Sequence, residues 1–136
     1  MSAEPILQVN DLKKHYPIRG GFFSGVTANV YAVDGISFHI DKGETLSLVG
    51  ESGCGKSTVG KAILRLCPIT AGQVVRGGQR IDQRSAGKLR PLRQRVQVVF
   101  QDPYSSLNPR MRVRDILAEP MTNFGLATGK DAITER

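Results

Sequence analysis

The chain has 136 residues, 40% hydrophobic and 23% charged, ordinary proportions for one folded domain with a real core. No apolar run approaches the roughly 18 residues of a membrane span, Met1–Pro5 lacks the basic start and apolar stretch of a signal peptide, and two cysteines, Cys54 and Cys67, make no disulfide framework. The net charge of +7 permits attraction to anionic surfaces, but the basic residues from Arg76 to Arg95 have no interleaved aromatics and read as a solvated face.

Ile6 to Leu12 reads as a first strand. Lys13 to Thr27 holds Pro17, Gly20, Gly21 and Gly25 and reads as a loop. Val30–Val33 and Ile36–Ile40 read as two strands around Asp34-Gly35, and Asp41–Glu44 as a turn. Thr45–Val49 is apolar and β-favouring, as a buried strand should be. Val59, Ala62, Ile63 and Leu66 have helical spacing, so a helix is predicted over Thr58–Leu66, stopped by Pro68. Gln73–Val75 and Arg80-Ile81 read as short strands around Gly77-Gly78. Ser85–Arg95 reads as a helix broken near Pro91, and Val96–Phe100 as a strand. Gln101–Pro109 reads as an irregular link. Val113–Phe124 has helical spacing interrupted by Pro120. Gly125–Gly129 reads as a turn, and Lys130–Arg136 as the opening of another helix. Neither His15 nor His39 carries a functional assignment, and His39 should face solvent; Met111 and Met121 read as packing residues.

Between the Thr45–Val49 strand and the helix lies Gly50-Glu51-Ser52-Gly53-Cys54-Gly55-Lys56-Ser57-Thr58. The spacing Gly-x4-Gly-Lys-Ser is that of a phosphate-binding loop. Amides that turn inward around a phosphate need a backbone without obstructing Cβ atoms, which Gly50, Gly53 and Gly55 supply. Lys56 places a positive charge near the terminal phosphates, and the Ser57 hydroxyl is suited to Mg²⁺. The helix that follows points its positive end at the same anion. The bland alternative is an empty glycine turn; strand, loop and helix in the required order weigh against it. A crosslink at Cys54 would obstruct a ligand here, so a reducing, cytoplasmic setting is expected. By itself, Gln101 at the end of the Val96–Phe100 strand means little, although a strand-end Gln can reach the ligand crevice of a parallel sheet.

The phosphate loop together with Val98-Val99-Phe100-Gln101-Asp102-Pro103-Tyr104-Ser105-Ser106-Leu107-Asn108-Pro109-Arg110-Met111 resembles the ATP-binding subunit of an ABC transporter. The likeness is greatest to the oligopeptide/dipeptide importer group, which includes glutathione and nickel importers. Asp11–Pro17 and Ala32–Phe38 resemble that group too, so the resemblance spans essentially the whole chain. It implies an α/β fold of the P-loop NTPase type: an antiparallel β subdomain and a P-loop core over 1–103, then the start of a helical subdomain over 104–136. It implies that Tyr16 stacks on adenine and that Gly50 to Thr58 form the Walker A loop. It implies that Gln101 is the Q-loop glutamine, positioning water or Mg²⁺ and linking the nucleotide site to the membrane subunit. The implied ligands are ATP and Mg²⁺, with Ser57 and Gln101 on the metal. The implied partners are membrane-spanning permease subunits and a second ATP-binding subunit, at the inner face of the cell membrane; no nucleic acid is expected.

The pattern departs from the family within these residues. No Leu-Ser-Gly-Gly-Gln signature, no Walker B aspartate followed by Glu and no later switch histidine occurs in the chain. The expectation is therefore an N-terminal portion that binds nucleotide with little turnover, is marginally stable, and has an unpaired strand edge. A non-hydrolysing module docked on a permease or partner ATPase is the alternative, and a soluble ABC ATPase acting on nucleic acid a third.

Overall fold

The computed structural model describes residues 4–19, 26–102, 104, 106–127 and 133. Gly20, Gly21 and Gly25 of the predicted loop, Pro103 and Ser105 of the Gln101 run, and all of the predicted C-terminal helix except Ile133 lie outside these residues. The chain forms two compact units, Met1–Ser85 and Ala86–Arg136.

The first unit is built on a four-stranded antiparallel sheet in the order β2-β1-β3-β4. Strand β1 spans Leu7–Arg19 and β2 spans Val26–Ile40. Both are longer than the composition predicts. The predicted loop from Lys13 onward is in fact strand, with His15 opposite Tyr31 and Pro17 opposite Asn29. Pro17 is tolerated because the β1–β3 pairing ends at Lys13, so past that point β1 is an edge. The predicted break at Asp34-Gly35 is not a break. It is absorbed by bulges, with register shifts on both sides of the Lys13–Asp34 pair.

Strand β3 spans Ala71–Arg76 and pairs antiparallel with β1, from Leu7 opposite Arg76 to Lys13 opposite Ala71. A tight turn leads into β4, Gln79–Arg80. Val9, Leu12, Val33 and Val74 form the buried face of the sheet. Helix α1, Lys56–Ile63, packs Val59 and Ala62 toward β1 and β2. It begins and ends earlier than its apolar spacing predicts. The Leu66 amide bonds to the Lys61 carbonyl and the Arg65 amide to that of Ala62, with Arg65 at φ +55°. That is a Schellman closure with arginine where glycine is usual, and it stops the helix before Pro68 acts.

Asp82 fastens the far side of the sheet. Its side chain is 3% exposed. It accepts the Val74 amide at 3.0 Å and a fork of bonds from Arg80, two from Nε at 3.0 Å and one from Nη2 at 2.9 Å. Burial pushes the carboxyl up, but Arg80 and the Val74 amide outweigh it and hold the group below its ordinary 3.8. The folded value is depressed, so this contribution is complete above the ordinary value and is lost as pH falls through the folded one. Asp82→Ala is expected to cost about 1.5–3 kcal/mol, the range for hydrogen bonds to a charged group. Asp82→Asn should lose less further stability than the wild type as pH is lowered from about 5 to 3. Equal slopes in urea melts across that range would count against this account.

Two predicted strands are absent as strands. Thr45–Val49 and Val96–Phe100 have no ladder partner among the described residues. Val49 is 89% and Val99 88% exposed. Composition favours extended backbone, but a strand exists only once another strand bonds to it. The segments keep the apolar character and lack the pairing.

The second unit holds α2, Ala86–Arg93, and α3, Val113–Asn123. Both run through the prolines that were predicted to break them, Pro91 and Pro120. In α2 the proline removes the hydrogen bond that its amide would have made to the Gly87 carbonyl. Helix α3 has Asp115 in its first turn, favourable to the helix dipole. It closes on Gly125, with Leu126 bonded to Met121 and Gly125 to Thr122.

Candidate functional site

The Gly-rich loop hangs between the unpaired Thr45–Val49 segment and the first turn of α1. The Cys54 amide bonds back to the Glu51 carbonyl at 3.3 Å, which curls the loop. Gly55 caps α1 at φ +95°, with no side-chain cap and no acidic residue in the first turn. The amides at this helix start therefore face outward without a carboxylate to neutralise them. A Cβ on Gly55 would lie 2.1 Å from the Ala32 carbonyl oxygen, so the loop is pressed onto β2 at a place that only glycine permits. A Cβ on Gly50 would lie 2.7 Å from Cys54 Sγ, across the curl.

Lys56 reaches back into this concavity. Its ammonium donates to the Gly50 carbonyl at 2.7 Å and to that of Glu51, and lies 3.4 Å from Cys54 Sγ. Among the described residues no carboxylate pairs with it. A cation held by carbonyl dipoles inside a curl of backbone, beside an uncapped helix start, attracts an anion. Glu51, Ser52, Cys54 and Ser57 are exposed, and Gly55, Lys56 and Thr58 half-buried, so the cradle is open to solvent. Among the described residues no group of three or more His, Cys, Asp or Glu could hold a metal.

Tyr16 lies on β1 opposite Val30 and is 41% exposed. Ala32, which touches Gly55, is two residues along β2 from Val30. The register therefore places the Tyr16 position about 7 Å along the strand from the loop contact. The Lys14 ammonium lies over the Tyr16 ring, 4.6 Å from its centroid. No sequence signal singled out Lys14. On the adjoining position, His15 Nε2 lies 3.0 Å from Asp34 Oδ1 and its ring meets Tyr31 edge-on at 4.5 Å. His39 is exposed, as predicted. A groove of about 410 Å³ lined by Gln8, Asn10, Ser37 and His39 lies at the other end of the β1–β2 pair, away from the loop. Gln101 belongs to the second unit, where it is an exposed residue at a bend after the unpaired Val96–Phe100 segment.

Comparison with known proteins matches residues 33–135 to the family model described as ABC transporter. The chain is 53% identical over 136 residues to the glutathione import ATP-binding protein GsiA of Salmonella typhimurium strain LT2, covering 100% of this chain and 22% of that protein. Against the GsiA of Escherichia coli K12 it is 50% identical over 132 residues, covering 97% of this chain and 21% of that one. The chain thus spans about a fifth of the length of the curated relatives it matches. In fold it is similar to the ATP-binding cassette MJ0796 in a dimeric post-hydrolysis state bound to ADP and Pi. The TM-score is 0.75 at 23% identity, covering 94% of this chain and 53% of that one.

Proposed function

Because the chain belongs to the ABC transporter family, we propose that its Gly-rich loop binds ATP and that it forms the nucleotide-holding part of an importer subunit for peptide-type solutes such as glutathione. The observation that carries this reading is Lys56: a cation without a carboxylate partner among the described residues, held inside the loop by backbone carbonyls. In this reading the amides of Gly50 to Thr58 and the Lys56 ammonium take the phosphates of ATP, and the Ser57 hydroxyl ligates Mg²⁺. Tyr16 stacks on the adenine. Hydrolysis of the bound nucleotide in the assembled transporter would supply the free energy of transport. Residues 1–103 would carry the ATP-binding core and 104–136 the start of a helical subdomain. The partners would be permease subunits and a second ATP-binding subunit, at the inner face of the membrane. The solute class rests on similarity to proteins named for glutathione import.

Lys56→Ala tests the reading. It removes a charge-assisted contact worth about 1.5–3 kcal/mol, so MgATP affinity should fall roughly ten- to a hundredfold. The measurement is titration calorimetry on both proteins. Equal affinities would show that this loop does not hold the phosphates.

A further inference from the structure

Alternation along β1 puts Leu12, Lys14 and Tyr16 on one face of the strand. Leu12 is fully buried on that face. The next position on that face is held by a lysine only 8% exposed, a burial that lysine rarely accepts without a partner. Among the described residues Lys14 has no ion pair. Its ammonium is 4.6 Å from the Tyr16 ring centroid. Attraction to the ring face is the compensation on offer, and it grows as water is excluded. Tyr16 itself remains 41% exposed. A cation against one ring face leaves the opposite face and the rim for solvent or a ligand.

We propose that Lys14 is a positioning residue for the nucleotide base: it clamps the Tyr16 ring from one side and draws electron density from it, so that the other side stacks on a purine. This rests on the reading of Tyr16 as the base-stacking residue. The physical reason is cooperative. A cation on one face makes the ring a poorer electron donor, and an electron-rich purine then stacks on it more strongly. The clamp also fixes the ring before the base arrives, so less side-chain freedom is lost on binding. Register adds a geometric reason. Lys14 pairs with Val33, the neighbour of the Ala32 that touches Gly55, so clamp and phosphate loop rest on the same stretch of β2.

The test uses the 136-residue chain and two probes, MgATP and inorganic tripolyphosphate, with Kd measured for wild type, Lys14→Met, Lys14→Arg and Tyr16→Ala. Methionine keeps the length and apolar stem of lysine and deletes the charge. Lys14→Met should weaken ATP about three- to tenfold and leave tripolyphosphate unchanged, because only the base contact depends on the ring. Lys14→Arg should bring ATP affinity back to within about twofold, since guanidinium also sits on aromatic faces. If Lys14→Met weakens both probes equally, or arginine fails to rescue, the lysine is a packing residue and the proposal is wrong. If Tyr16→Ala weakens ATP while Lys14→Met does not, the base-stacking reading survives and the clamp alone falls. If Tyr16→Ala leaves ATP affinity unchanged, the stacking reading fails and takes the clamp with it.

Discussion

Gly55→Ala should lose MgATP binding and a large part of the first unit's stability, about 2–5 kcal/mol. Two costs add. The φ of +95° is a conformation that an L side chain adopts at about 1–2 kcal/mol. The new methyl would also sit 2.1 Å from the Ala32 carbonyl oxygen, and overpacking of this kind costs about 1–3 kcal/mol. Neither party is a flexible side chain. Relief requires either that β2 shift or that α1 lift off the sheet, and both would disturb the packing of Val59 and Ala62. In urea the midpoint should fall by roughly 1–2 M. Gly53→Ala is the control. Its φ of +82° gives similar strain, but nothing lies within 4 Å of the new Cβ, so only the smaller cost should appear. If the two variants melt together, the contact with Ala32 is not what shapes the loop.

Gly72→Ala should be comparably damaging, although Gly72 is no part of the Gly-rich loop. Here φ is +94°, and the added carbon would meet the Asp11 carbonyl oxygen at 2.3 Å and that of Asn10 at 2.7 Å. These oxygens belong to the bulge where the β1–β3 register shifts between Asn10 and Lys13. Asp11 is itself left-handed, at φ +45°, and its amide donates to Ser37 Oγ at 2.9 Å. The bulge is thus tied to β2 on one side and pressed against Gly72 on the other. Substitution should lower the melting temperature by roughly 10 °C or more. Amides of β3 such as Val74 should exchange faster, while α3 in the second unit keeps its protection. A variant that melts within about 2 °C of wild type would mean that the bulge yields freely.

These two glycines mark where sequence reading succeeds and fails. That a Gly-rich loop leads into a helix at Lys56 was legible because the residues that shape it are consecutive. Gly55 was recognised within that pattern, but its contact with Ala32 was not, because nothing local tells which strand lies beneath. Gly72 carried no signal at all. The β1–β2 pair was read short because Pro17 and Asp34-Gly35 are breakers in isolation, whereas an open strand edge and a bulge accommodate them. Thr45–Val49 and Val96–Phe100 went the other way: their residues favour strand, yet no described neighbour bonds to them. Local preference is written in the side chains, while pairing depends on what the rest of the chain brings alongside. Lys14 stayed invisible for the same reason. A lysine in a strand is ordinarily solvated, and only its burial beside Tyr16 sets it apart.

Lys56 has a double duty that follows from where its ammonium rests. The front half of the loop, Gly50 and Glu51, continues from a segment with no neighbouring strand among the described residues to stiffen it, and the grip of Lys56 on their two carbonyls is the fastening. Under the proposed reading, an incoming triphosphate would compete for that same ammonium, so its docking would be an exchange of partners and its net gain smaller than the bare attraction of opposite charges suggests.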